Sequence, residues 1–209
     1  MSYFHRPEIS VSDLKAFLEK MGLSRERPEN LQAIFDFGST FHAGILEPHL
    51  VSGTVPWADL ALVKRMRDTF FKDQWCREFI MGRDFRREEV FTSEIKVGPY
   101  QYKSRCKADG VRLGIKTLLE LKGLSVTSKQ AFIAAIDAMN YDMAAVHYML
   151  TAGCEWMVIV AISKIKPGLM FKHIIKRHDE TWLWGEEKLI QTLKLLHEWS
   201  PEDVQRVAA

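Results

Sequence analysis

Glu120-Leu121-Lys122 is the triplet in this chain best placed to do chemistry. The mostly apolar run from Ile115 to Leu121 has the composition of a buried strand, with Glu120 and Lys122 at its end. Residues two apart on a strand share a face, so a carboxylate and an ammonium project together while Leu119 and Leu121 point into the core. Asp109, closing the neighbouring strand just before Gly110, adds a second carboxylate if it faces the same pocket. Two carboxylates beside a lysine suit a hard divalent cation, magnesium or manganese, which keeps waters and accepts phosphate oxygens. The chemistry this favours is metal-assisted hydrolysis of a phosphodiester, with Glu120 and Asp109 as ligands. Lys122 would orient or deprotonate water, or stabilise the developing charge. His42 falls on the apolar stripe of a helix and looks inward, from where its imidazole could complete the shell. Gly38, one turn earlier, hints that something approaches the backbone there.

An acid-x-Lys triplet is not specific by itself. Asp13-Leu14-Lys15 and Glu186-Glu187-Lys188 sit in helical patterns, where charges two apart do not share a face. Glu94-Ile95-Lys96 is also strand-like, but its strand is more polar and no Asp-Gly precedes it at hairpin distance. A surface salt bridge is the competing reading of Glu120 and Lys122.

The elements that must position these residues follow from periodicity. Ser12 is placed to cap a short helix ended by Gly22, and a second helix runs from near Pro28 to Pro48 with Leu31, Ile34, Phe35, Phe41, Ile45 and Leu46 as its stripe. Trp57 to Arg87 reads as helix. From Glu89 the period changes to that of a strand, Gly98-Pro99 turns the chain, and Tyr100 to Asp109 alternates as the second arm of a hairpin. Thr127 with Gln130 suggests a capping box, Asn140 a break, and Tyr141 to Leu150 a helix ended by Gly153. Met157 to Ile162 reads as a strand, and Glu186 to Trp199 as a final helix. The order predicts an α/β or α+β architecture, a mixed sheet flanked by helices, in one domain spanning residues 1–209.

Composition excludes several classes. A hydrophobic fraction of 47% with 27% charged residues argues against disorder and fibres. Twenty-nine basic against 27 acidic residues give +2, so any nucleic-acid surface must be local. Three cysteines without CxxC spacing read as ordinary thiols of a reducing compartment. No signal-like or membrane-spanning apolar stretch is present, which predicts a soluble, cytoplasmic protein with no membrane partner. Neither GxGxxG nor GxxxxGK[ST] occurs, so dinucleotide and P-loop chemistry lose their support.

Asp109-Gly110 followed by Glu120-Leu121-Lys122 resembles the core of the PD-(D/E)XK nuclease superfamily. Ile9 to Lys15, and Phe37 to Pro48 with its Gly-x-x-x-His and Leu-Glu-Pro, resemble the opening of the RecE-like (exonuclease VIII) branch. Cys106-Lys107-Ala108-Asp109 and Tyr141 to Tyr148 match further blocks of that branch, so that the resemblance spans most of the chain. It implies a restriction-endonuclease-like core, with His42, Asp109, Glu120 and the carbonyl of Leu121 as metal ligands and Lys122 as a catalytic residue. It further implies magnesium-dependent degradation of linear duplex DNA from a 5′ end, in phage-type recombination, often by a ring-shaped homo-oligomer working with a strand-annealing protein. Two positions depart from the pattern: Ala144 stands where relatives carry the glutamine of Gln-x-x-x-Tyr, although Tyr148 is kept, and Ile162-Ser163-Lys164 lacks an acid before its lysine.

Lys103, Arg105 and Lys107 share the parity of Asp109, so a basic stripe could lead DNA towards the metal, with a solvated strand face as the alternative; a DNA contact by Tyr148 is what the resemblance implies. Trp182 and Trp184 read as packing residues. Two other readings stay open: a single-strand or structure-specific nuclease of the same superfamily, and a non-catalytic DNA-binding or assembly module on the same fold.

Overall fold

The structure is a computed structural model that describes residues 7–23, 30–50 and 56–198. Helix α1 (Val11–Lys20) starts earlier than the sequence suggests, because Ser10 rather than Ser12 is the cap. The Ser10 hydroxyl accepts from the Asp13 N–H, and the Asp13 carboxylate accepts from the Ser10 N–H, so two otherwise orphaned donors are met reciprocally. Helix α2 (Leu31–Leu46) carries its buried stripe only in its second half, at Phe41, Ile45 and Leu46, while Ile34 and Phe35 are exposed. Pro28, expected near its start, lies outside the described residues. The long helical stretch that follows is two helices, α3 (Trp57–Lys72) and α4 (Gln74–Met81), broken at Asp73, whose carboxylate accepts from the Cys76 N–H at 3.0 Å and so caps the second.

Strand β1 (Phe85–Val97) begins before Glu89, and β2 (Tyr100–Arg112) runs straight through Asp109-Gly110, which was expected to end it. Gly110 is there because the Phe85 ring lies across it: a Cβ would stand 2.6 Å from that ring. Strand β3 (Thr117–Leu124) is shifted onward from the apolar run, so Glu120 and Lys122 are central rather than terminal; Ile115 belongs to a 3₁₀ turn, and Lys116 in the left-handed region starts the new direction. Helix α5 (Lys129–Ala138) is capped by Ser128, not Thr127. Helix α6 (Tyr141–Ala152) is entered through Asn140 and left through Gly153, both left-handed. Strand β4 (Trp156–Ser163) follows, then an unforeseen strand β5 (Met170–Lys176), then α7 (Glu180–Glu198), which starts two turns before Glu186; Trp199 lies outside the described residues.

The five strands form one mixed sheet in the order β1-β2-β3-β4-β5, antiparallel throughout except for the β3–β4 pair. One face packs Leu119, Leu121, Val158, Val160 and Ile162 against α2, α3 and α4. The other packs Leu118, Met157, Ile159 and Ala161 against α1, α5, α6 and α7. This two-sided burial explains the near-continuous apolar runs of β3 and β4. The three cysteines are free and buried. Among the described residues no helix is long and apolar enough to cross a membrane.

Candidate active site

Strands β2 and β3 pair only from Gly110–Leu119 to Arg112–Thr117. One step beyond that short ladder Asp109 and Glu120 stand opposite each other, where the strands part. The freed edge of β2 is taken by the N-terminal segment: Ile9 donates its N–H to the Lys103 carbonyl at 3.0 Å and accepts from the Arg105 N–H at 2.9 Å. Leu121, past the last β2 partner, needs other partners for its backbone, since an unmet polar group in a buried strand is costly. Asp109 Oδ2 accepts from the Leu121 N–H at 2.7 Å, and the Leu121 carbonyl lies 3.0 Å from His42 Nε2. The other ring nitrogen, Nδ1, is 3.1 Å from Asp109 Oδ1.

His42, Asp109, Glu120, Leu121 and Lys122 therefore meet at one gap in the sheet. Both His42 nitrogens face oxygen acceptors, an arrangement that suits the doubly protonated ring. Burial pulls its pKa down, but the Asp109 carboxylate outweighs that and leaves it raised. Burial would push Asp109 up; the charge and hydrogen bond of His42, the Lys122 charge and the Leu121 N–H hold it below the usual carboxylate range. Glu120 goes the other way, raised by burial and by the neighbouring Asp109 charge despite Lys122. Lys122 donates to Glu120 Oε1, and although burial opposes its charge, Glu120 and Asp109 raise its pKa and keep it an ammonium. Glu120 Oε2 is buried without a hydrogen-bond partner among the described residues.

That orphaned oxygen, with a second carboxylate, a backbone carbonyl and an imidazole that would give up one proton to ligate, is a donor set that fits a divalent magnesium or manganese ion. Among the described residues, the side chains whose ligand atoms lie within 4.8 Å of one another are His42, Glu88 and Asp109. Glu120 stands outside that group with its carboxylate turned to Lys122. Glu88 was missed in the sequence because the strand was started at Glu89; counting outward from the Gly98-Pro99 turn brings it opposite Asp109.

Lys15 was set aside as helical, yet its ammonium lies 5.1 Å from the centre of the Tyr141 ring, and Lys122 lies 5.4 Å from the same ring. Lys15 donates to the Met139 carbonyl at 2.8 Å, and burial, then the Lys122 charge, pull its pKa down to about 8. The rival Glu94 and Lys96 are exposed on edge strand β1.

The basic stripe is broken. Lys103 is exposed, and Lys107 is half-exposed and paired with Glu88. Arg105 is only 3% exposed, its guanidinium 3.0 Å from Asp13 and bonded to the Glu8 carbonyl, so it ties the N-terminal segment to β2 instead of facing solvent. Tyr148 and Ala144 are half-buried against the core on the α6 side. Among the described residues nothing lies within 4 Å of where a Gly38 Cβ would be, so the close approach expected there is not found among them. Trp182 is buried as a packing residue, whereas Trp184 is 53% exposed.

No protein-family model and no curated protein matches the chain. Solved structures do. An exonuclease candidate from Eubacterium rectale aligns over 96% of this chain and 81% of its own, with a TM-score of 0.58 at 14% identity. The chain shares the fold of that structure, a mixed five-stranded sheet flanked by helices. An alkaline exonuclease from Laribacter hongkongensis (96% and 91% covered, TM-score 0.40, 14% identity) and a phage-related exonuclease from Haemophilus somnus (92% and 97%, 0.42, 11%) align more loosely.

Proposed function

We propose that this chain is a divalent-metal-dependent deoxyribonuclease, a RecE-like exonuclease that hydrolyses linear duplex DNA from the 5′ end with magnesium, or manganese in its place. The observation that carries the reading is the convergence of His42, Asp109, Glu120 and the Leu121 carbonyl with the Lys122 ammonium at the parting of β2 and β3. His42, Asp109, Glu120 and the Leu121 carbonyl would hold the cation. When bound, a divalent cation supplies charge neutralisation at the phosphate and lowers the pKa of a coordinated water. Lys122 is held as an ammonium, so of the roles open to it, stabilising charge that develops on the phosphate fits better than removing a proton. Asp109 does double duty, fixing Leu121 through its N–H while presenting its other oxygen to His42. Exposed Lys103 would meet a phosphate, a contact that positions DNA without reading sequence.

The test is end-labelled linear duplex incubated with the purified chain, with magnesium and with chelator, beside Asp109→Ala and Lys122→Ala. Metal-dependent shortening that both substitutions abolish supports the enzyme. Intact DNA that is still bound assigns a binding or assembly module instead, and equal loss of circular DNA assigns an endonuclease. The 5′- against 3′-labelled strand reports polarity.

A further inference from the structure

We propose that Glu88 is a further ligand of the divalent cation, entering the site from β1. The inference rests on the metal-centre reading above and extends its donor set to a residue outside the motif. Three features point to it. The ladder pairs Arg87 with Gly110 and Glu89 with Ala108, which sets Glu88 opposite Asp109, and directly opposed residues of an antiparallel pair face the same side. Ligand atoms of Glu88, Asp109 and His42 lie within 4.8 Å of one another, two carboxylates and an imidazole around one point. Glu88 is also a non-glycine residue in the left-handed region, at φ 52°, within a strand whose flanking pairs keep an unbroken register. Such a conformation persists only where its surroundings enforce it, and it concentrates at functional sites.

Two carboxylates this close repel unless positive charge sits between or beside them. Without a metal that charge comes from Lys107 on Glu88 and from His42 beside Asp109. Lys107, 43% exposed, is a side chain that can give way, whereas His42 would stay as a ligand. A divalent ion would neutralise both carboxylates at once, with oxygen and nitrogen donors of the type magnesium and manganese accept. The competing account is a surface ion pair between Glu88 and Lys107 with no part in metal binding.

The two accounts separate in a manganese titration of the full chain, stripped of metal, followed by the electron paramagnetic resonance signal of free manganese and by melting temperature. Glu88→Gln, Glu88→Gly, Glu89→Gln and Asp109→Asn are compared with the wild type. Glu88→Gln should weaken manganese binding about tenfold or more, as should Asp109→Asn, while Glu89→Gln, one residue away and paired to Arg86, binds as the wild type does. Glu88→Gly suits the backbone, so it should melt in chelator close to the wild type and yet lose most of the rise in melting temperature that manganese gives. Wild-type binding by both Glu88 variants, with binding lost in Asp109→Asn, overturns the role of Glu88 and leaves the metal centre standing. A wild type that binds no manganese overturns the metal centre itself, and the inference with it.

Discussion

The Nε2 of His42 lies 3.0 Å from the backbone carbonyl of Leu121, across a 79-residue separation. Because Nδ1 of the same ring is 3.1 Å from Asp109 Oδ1, the imidazole stands between a backbone carbonyl and a carboxylate. It holds α2 against the unpaired part of β3 and satisfies a carbonyl left over where β2 diverges.

From this geometry, His42→Ala should destabilise the metal-free protein, since it leaves the Leu121 carbonyl and one Asp109 oxygen without a donor. The cost of such unmet groups is about 1–3 kcal/mol, which for a domain of this size lowers the melting temperature by roughly 2–4 °C per kcal/mol. Melting in chelator measures it, and an unchanged midpoint would remove His42 from this role. Melting with magnesium should show a smaller metal-induced rise in the variant than in the wild type.

Lys122→Met should separate chemistry from assembly. The ammonium is held by Glu120 and lies over the Tyr141 ring, so its loss removes positive charge near the proposed phosphate position while the neighbouring ligand side chains remain. Turnover of linear duplex is expected to fall by about 10²-fold or more, with manganese affinity kept within about threefold of the wild type. Turnover near the wild-type rate would exclude Lys122 from catalysis. A matching collapse of metal binding would instead make it a structural partner of Glu120.

The basic residues of β2 should divide by burial. Lys103→Ala is expected to weaken DNA binding by a similar factor for unrelated sequences and to reduce the slope of log affinity against log salt by about 1, as loss of one phosphate contact does. Arg105→Ala should act on the fold, because its guanidinium joins Asp13 and the Glu8 carbonyl within the protein. A loss of about 1–3 kcal/mol in urea unfolding is the expected scale, discounted for the 37% exposure of the Asp13 side chain. An unaltered unfolding midpoint for Arg105→Ala would contradict this division.

How far the sequence could be read depended on whether position or contact decided the outcome. That Glu120 and Lys122 stand side by side was legible because a two-residue period on a buried strand fixes a shared face whatever the exact strand ends are, and those ends are displaced. Asp109 could be set beside that pair only conditionally, from its place at the end of the neighbouring strand, and Gly110 after it reads as a stop; the closeness of the Phe85 ring, which makes glycine necessary there, is a tertiary fact. Glu88 was out of reach because the strand period is legible only from Glu89, four residues after β1 begins. Arg105 and Lys15 could not have been sorted from pattern: parity placed Arg105 with Lys103 and Lys107, and only the docking of residues 7–13 on the edge of β2 buries it. Strand β5 was invisible for a similar reason, its residues being mostly half-exposed at the edge of the sheet, so that no strict alternation marks them.

His147 offers a pH test remote from the proposed chemistry. It is fully buried in α6, where its Nε2–H donates to the Arg105 carbonyl at 3.1 Å and its Nδ1 accepts from the Tyr102 hydroxyl at 3.1 Å, so the neutral ring meets its partners. Burial pulls its pKa down to about 4 from 6.5. The unfolded chain therefore binds this proton more readily than the folded one, and the stability involved is fully present above about pH 6.5 and lost as the pH falls towards 4. Between pH 7.5 and 5.0 the loss assigned to this group is about 2 kcal/mol, on the scale of 1.36 kcal/mol per pKa unit. Urea unfolding at the two pH values should show that loss in the wild type over and above the loss in His147→Gln, which lacks a titrating ring. Equal pH dependence in the two proteins would show that His147 protonates without cost in the folded state.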